Sequence, residues 1–262
     1  MSLRHFLSIL LSVVCLSVVA PAPAQDLERE KRLEAEIIDA ILDGEAVHLK
    51  ADGHAILGIY MESEGKQTFG GALILHGRGF HPDWPEVVQP LRTALPASGW
   101  NTLSLQMPVL KKDAKYYDYV PILPAALPRI RAGIDYLRAQ GAERVVVIAH
   151  SCSVHMSMAY VEQFGDRDFD AYVGIGMGAT DYGQPMRKPF PLDKMRVPVL
   201  DVYGADEFPA VIRMAPDRRA AMSQAGHKAS RQVVIPKADH YFTDRGEPLI
   251  QAVSAWLDEL GF

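Results

Sequence analysis

Val145-Val146-Val147-Ile148-Ala149-His150-Ser151-Cys152-Ser153 is an apolar run that stops at a cluster of small polar residues. Consecutive β-branched residues, apolar on both faces, describe a strand covered from both sides, as in a parallel sheet. From Val154 to Phe164 apolar residues recur at helical spacing, so the chain must turn sharply between the two elements. A serine at such a turn has two readings. It can be the nucleophile of an elbow that lifts its hydroxyl above the sheet, or an N-cap whose hydroxyl bonds a free backbone N–H of the next helix. The elbow is usually written Gly-x-Ser-x-Gly, because the turn crowds its flanking backbone. Here Ala149 and Ser153 stand at the glycine positions, and the segment alone leaves both readings open.

Outward from this turn the same texture repeats. Apolar runs at Ala72 to Leu75, Thr102 to Met107, Ala171 to Ile175, Val197 to Tyr203 and Gln232 to Ile235 read as strands. They alternate with helical patterns at Trp84 to Ala97, Pro124 to Gln140, Val154 to Phe164, Ala210 to Ala225 and Pro248 to Leu260. Ahead of them lie an amphipathic helix, Asp26 to Leu42, and a hairpin of Ala46 to Lys50 with Ala55 to Met61, separated by Ala51-Asp52-Gly53-His54. The expected fold is α/β: a mostly parallel, doubly wound sheet with helices on both faces, a minimal cap, and ligand groups at the carboxyl ends of the strands. Thr180 to Lys194, rich in proline, is the loop expected over the site. With no internal repeat or second composition, residues 25–262 read as one domain.

A serine hydroxyl needs a base to take its proton, and the base needs an acid to fix its tautomer. Gly204-Ala205-Asp206-Glu207 follows one strand, and Lys237-Ala238-Asp239-His240 follows the next. Order and placement make Ser151, His240 and an acid the candidate catalytic set. Spacing favours Glu207 over Asp206 without excluding either, and Asp181 is the next acid to consider. For an oxyanion hole the backbone N–H of Cys152 is one candidate donor. The second should come from His76-Gly77-Arg78-Gly79-Phe80, with Arg78 first and Gly77 or Gly79 as alternatives. His76 and His150 read as structural. The thiol of Cys152 falls one residue beyond the nucleophile position and reads as a small buried side chain.

Composition narrows the classes further. The 262 residues are 48% hydrophobic and 23% charged, with 27 Lys and Arg against 32 Asp and Glu, a net charge of -5. That excludes a disordered chain, and without a basic run nucleic acid is not an expected partner. Arg4 and His5, the apolar run Phe6 to Ala20 and Ala22-Pro23-Ala24 before Gln25 form an expected signal peptide, residues 1–24, cleaved after Ala24. Export to the periplasm or beyond follows, with no stable membrane insertion after cleavage. Removing that segment takes only Arg4 from the charged set, so the mature chain carries -6 and a single cysteine, Cys152. Nine histidines are present, but no His-x-His, His-Glu-x-x-His, Gly-x-Gly-x-x-Gly or phosphate loop. Neither a metal nor another cofactor is expected.

The stretches Leu75-His76-Gly77-Arg78-Gly79-Phe80-His81-Pro82-Asp83-Trp84-Pro85, Leu91 to Pro96 and Gly99 to Pro108, with the later segments Leu200 to Gly204, Pro209 to Val211 and Ala238 to Phe242, resemble the α/β-hydrolase-like family called domain of unknown function 3530. The resemblance covers nearly all of the mature chain and implies an α/β-hydrolase fold in exported bacterial proteins, with no substrate established. Two functions are thereby expected. One is an exported serine hydrolase of the esterase, thioesterase or amidase type, acting on a small-molecule acyl substrate through an acyl-enzyme on Ser151. The other is a catalytically inactive scaffold serving as an envelope binding or assembly protein. The altered elbow speaks for the second, and the order Ser151, Glu207, His240 for the first. Without a long apolar insertion to form a lid, a modest and open site is expected.

Overall fold

In the computed structural model the described residues are 25–65 and 68–262; the expected signal segment, residues 1–24, lies outside them. The runs that are apolar on both faces form the centre of one sheet. β3 (Gly70–Leu75), β4 (Trp100–Leu105), β5 (Val145–His150) and β6 (Ala171–Ile175) are buried at every position. The sheet order is β1-β2-β4-β3-β5-β6-β7-β8, with β1 (Glu45–Ala51) and β2 (His54–Met61) antiparallel and every pair from β4 to β8 parallel. Asp52 and Gly53 close the β1–β2 hairpin at φ 49° and 77°, the pair of positive values that a two-residue turn matched to strand twist requires.

Because side chains alternate along a strand, the sheet builds two cores. Leu73, Leu75, Val145 and Val147 face α4 (Leu127–Ala139) and α5 (Cys152–Phe164), where Ile130, Ile134 and Val154 meet them. Ala72, Ile74, Val146 and Ile148 face α2 (Val88–Ala94) and α7 (Gly246–Leu260) through Leu91, Leu249, Val253 and Trp256. α6 (Pro209–Ala225) lays Val211 and Ala215 against Tyr203 of β7 (Val199–Asp206). α1 (Leu27–Ile38) packs Leu33 and Ile37 on Leu57 and Ile59. It is tied down by a buried ion pair between Glu30 and Arg129. No helix among the described residues is long and apolar enough to cross a membrane.

The helix expected to run to Leu42 ends at Ile38, and two further differences from expectation fall where prolines sit. The helix expected from Trp84 forms only from Val88 and gives way to a 3-10 turn at Leu95–Ser98, with Pro96 in its first turn. The helix expected from Pro124 begins at Leu127, after a 3-10 segment Val120–Ala126 that holds Pro121 and Pro124. Just before it lies a one-turn helix that the periodicity did not show, α3 (Tyr116–Tyr119). The loop from Thr180 lies against α3: Tyr117 N–H donates to Gln184 Oε1 at 2.8 Å and its hydroxyl to Pro185 O at 3.0 Å.

Candidate active site

Ser151 occupies the turn between β5 and α5 at φ 55°, ψ -114°, a region that costs an L-residue about 1–3 kcal/mol and persists only when its surroundings hold it. Its N–H donates to Ile175 O on β6 at 2.9 Å. The hydroxyl caps no helical N–H; it donates instead to His240 Nε2 at 2.8 Å. The N-cap reading of this serine therefore has no bond to rest on. The turn keeps its strained backbone with side chains on both flanks. Ala149 lies inside β5 opposite Gly174 and points its methyl into the core. Ser153 is fully buried and donates its hydroxyl to the carbonyl of His76.

His240 follows β8 (Arg231–Asp239) and is 2% exposed. Its Nδ1–H donates to Glu207 Oε1 at 2.6 Å, an assignment that leaves Nε2 free to accept the serine proton. Glu207 is buried and also accepts the Phe208 N–H at 2.7 Å on the same oxygen; its Oε2 has no protein partner. Asp206 is exposed and does not reach His240. The β7–β8 ladder is irregular there: Gly204 pairs with Ile235 but Asp206 pairs with Asp239, so the inserted residues lie on β8. A Cβ at Gly204 would lie 2.1 Å from Ala238 O, so only glycine admits the bulged β8 there, and past this irregularity Asp206 is exposed and Glu207 buried. Asp181 forms a forked ion pair with Arg78 and accepts the Tyr116 N–H at 2.7 Å. The Arg78 guanidinium holds the Asp181 carboxyl below the usual range against the opposing pull of its partial burial.

The N–H of Cys152 opens α5, where the helix dipole adds positive potential, and the N–H of Arg78 lies on the loop after β3. Neither has a hydrogen-bond partner among the described residues. Gly77 packs so closely that a Cβ would meet His150 Nδ1 at 3.0 Å and Phe80 at 3.1 Å; Gly79, at φ 73°, completes the turn. Burial pushes the Cys152 thiol up to about 12, so its sulfur stays protonated and unreactive at ordinary pH. Burial likewise holds His76 and His150 down at about 3 and His155 at about 4. His76 accepts the Met107 N–H at 2.9 Å, and His150 donates from Nε2 to His240 O at 3.0 Å. Both are neutral braces of the loops around Ser151.

Two neighbours of the histidine were not visible in the spacing. Phe208 stacks on the His240 ring at 4.1 Å between centroids. Gly176, at φ 63°, lies where a Cβ would come within 3.0 Å of His240 Cε1 and 3.2 Å of Glu207 Oε2. The Gly174-Ile175-Gly176 sequence hints at close approach, but nothing local says to what. Ser151 and His240 open into a cavity of about 200 Å³ bounded by Arg78, Tyr116, Phe208 and Tyr241. Among the described residues no group of three His, Cys, Asp or Glu side chains is arranged to hold a metal ion.

The His81-Pro82-Asp83-Trp84 segment supports this loop from outside. Asp83 accepts from the fully buried Arg92 at 2.9 Å, and Trp84 stacks on Phe80 at 3.7 Å. Phe80 in turn lies over His150.

No functionally curated protein matches the chain. Among solved structures it is similar to Est1E from Butyrivibrio proteoclasticus, at 16% identity and a TM-score of 0.65, over 82% of this chain and 98% of that one. An alpha-beta serine hydrolase homologue from Coxiella burnetii aligns at 16% identity and a TM-score of 0.62, over 82% and 98% of the two chains. A Xanthomonas campestris protein described as an a/b serine hydrolase without lid gives 14%, 0.61, 84% and 96%. At these identities the likeness establishes the α/β-hydrolase fold. The family described as Protein of unknown function (DUF3530) matches residues 12–119 and 125–259. The chain belongs to that family, and it carries the family sequence on an open, eight-stranded α/β-hydrolase sheet.

Proposed function

We propose that the protein is an exported serine hydrolase that cleaves an ester, thioester or amide through an acyl-enzyme on Ser151. The observation that carries this reading is the unbroken line from Ser151 Oγ to His240 Nε2 at 2.8 Å and from His240 Nδ1 to Glu207 Oε1 at 2.6 Å, at a strained turn where the serine hydroxyl caps no helical N–H. In this mechanism Oγ attacks the acyl carbon as its proton passes to Nε2, and Glu207 steadies the imidazolium. The N–H groups of Cys152 and Arg78 receive the charge that develops on the carbonyl oxygen. Nε2 returns the proton to the leaving group, and water then repeats the sequence to free the acid. No observation favours the alternative of an inactive scaffold, since Ala149 and Ser153 leave the elbow backbone intact.

A fluorophosphonate probe tests this directly. It should label the wild type and fail on Ser151→Ala and His240→Ala. Turnover of short-chain para-nitrophenyl esters should fall on the order of 10³–10⁶-fold in either variant, with no further loss when both are combined. Labelling that persists in Ser151→Ala would refute the assignment. Export rests on the sequence of residues 1–24 and is tested by N-terminal sequencing of protein from the periplasm, which should begin at Gln25. An intact Met1 on soluble cytoplasmic protein would exclude cleavage.

A further inference from the structure

Three of the chain's ten lysines, Lys111, Lys112 and Lys115, line the mouth of the Ser151 cavity together with Arg78. No aspartate or glutamate lines it, although the chain as a whole is acidic. The lysine turn is built in place. Arg29 reaches from α1 to the carbonyls of Leu110 and Gly79, Leu110 N–H donates to Tyr119 Oη at 3.0 Å, and Ala114 N–H closes the turn on Lys111 O at 3.0 Å.

Three acids neighbour these cations from outside the cavity lining. Asp181 takes the fork of Arg78 and lies 3.9 Å from Lys115. Asp113 lies 3.6 Å from Lys111. Asp118 accepts the Lys115 backbone N–H at 2.8 Å. Lys112 has no acidic partner among the described residues. The Glu207 carboxylate is buried behind His240, and of the charged groups around the mouth only the four cations line the cavity.

We infer that the substrate of this site carries an anionic group, a carboxylate or a phosphate, which Lys112 and Lys115 receive at the cavity mouth while the acyl bond lies over Ser151. The inference rests on the hydrolase reading above and narrows it to a substrate class. Opposite charges a few ångströms apart at a partly exposed site attract enough to matter and are screened by salt.

The test compares matched esters, each rate divided by that of its hydroxide hydrolysis. Para-nitrophenyl butyrate is the neutral reference for the para-nitrophenyl hemiester of glutaric acid, which places a carboxylate on the acyl half. Phenyl butyrate is the reference for the butyrates of para-hydroxybenzoate and of para-hydroxyphenyl phosphate, which place a carboxylate or a phosphate on the leaving half and so tell the two anions apart. At least one anionic ester should exceed its neutral partner in kcat/KM by about tenfold at low salt, a difference of about 1.4 kcal/mol. The excess should collapse in 1 M salt, where the screening length is about 3 Å. Lys112→Glu and Lys115→Glu should each cut the ratio at least roughly threefold. Lys228→Glu, at the far edge of the sheet before β8, should leave it at the wild-type value. Ser151-dependent turnover with no anionic preference, or a preference that both lysine variants retain, overturns this inference and leaves the hydrolase reading standing. Absence of both Ser151-dependent turnover and fluorophosphonate labelling overturns the two together.

Discussion

Replacing Ser153 by alanine weighs the altered elbow against the glycine that usually stands there. The Ser153 hydroxyl is fully buried and is the donor that the His76 carbonyl receives. Alanine keeps the backbone and the β-carbon and removes that bond, leaving a buried carbonyl without a donor among the described residues. An orphaned group of this kind costs about 1–3 kcal/mol. In a domain of this size each kcal/mol lowers Tm by about 2–4 °C, so a fall of roughly 4–8 °C is the central expectation. Glycine restores the usual elbow sequence but loses the same bond and adds a backbone penalty of up to about 1 kcal/mol within the helix. Ser153→Gly should therefore be no more stable than Ser153→Ala. The bond also fixes the loop that carries Arg78 against the start of α5, where the Cys152 N–H lies, so the two proposed oxyanion donors lose their shared anchor. Losing one such donor outright costs on the order of 10²–10³ in kcat, and loosening it should cost about tenfold, in kcat more than in KM. Urea denaturation with thermal melts reads the stability, and para-nitrophenyl ester kinetics read the rest. A Ser153→Gly protein as stable as the wild type with unchanged kcat would show that the hydroxyl holds nothing.

Glu207→Gln should reduce turnover on the order of 10⁴-fold while Asp206→Asn stays within about twofold, as ester kinetics will show; the reverse ranking would reassign the acid. Gly176→Ala places a β-carbon against His240 and Glu207 at a positive φ, and melts with kinetics should show a loss of about 1–3 kcal/mol together with most of the activity. Cys152→Ala and Cys152→Ser should keep turnover, and the wild-type thiol, raised to about 12 by burial, should resist iodoacetamide at pH 8. His76, His150 and His155 stay neutral in the fold down to about 3, 3 and 4, whereas in the unfolded chain they take up protons near 6.5. Because the folded values are depressed, their contribution to stability is whole above about pH 6.5 and drains away as pH falls toward 4, at up to about 4 kcal/mol per pH unit when all three act. A Tm that is flat from pH 7 to pH 5 would contradict this.

What could be read in the sequence was whatever depends on neighbours along the chain. β3, β5 and β6 announce themselves because both of their faces meet apolar helices, and the Asp52-Gly53 hairpin because two positive φ values are needed within two residues. The choice between Glu207 and Asp206 was not of that kind. Both stand at the end of β7, beside an irregularity in which β8 inserts residues and passes Gly204 at a distance only glycine allows. Such an irregularity belongs to the neighbouring strand, so spacing along β7 can rank the two acids but cannot choose between them. Phe208 and Gly176 were hidden for the same reason, since their roles lie in contacts with His240, distant in sequence.

The elbow sharpens this point. Its motif is a statement about backbone: residue 151 must hold a positive φ, and whatever flanks it must fit. Glycine meets the second condition by having no side chain, but a side chain with somewhere to go meets it as well. Ala149 fits because its methyl is buried in the core, and Ser153 fits because a carbonyl lies where its hydroxyl points. The strain at Ser151 is then held from three sides. Its own N–H reaches Ile175 O after β6's last pairing, Ser153 reaches His76 just past β3, and His150 reaches the carbonyl of His240 just past β8. Each bond runs from the turn to the carboxyl end of a different strand, the edge where the hydroxyl must meet the imidazole. Of the two side chains that break the motif, Ser153 thus fastens the turn of Ser151 to the loop that carries Arg78, which a glycine there could not do, while His150, at a position the motif leaves free, ties it to the loop that carries His240.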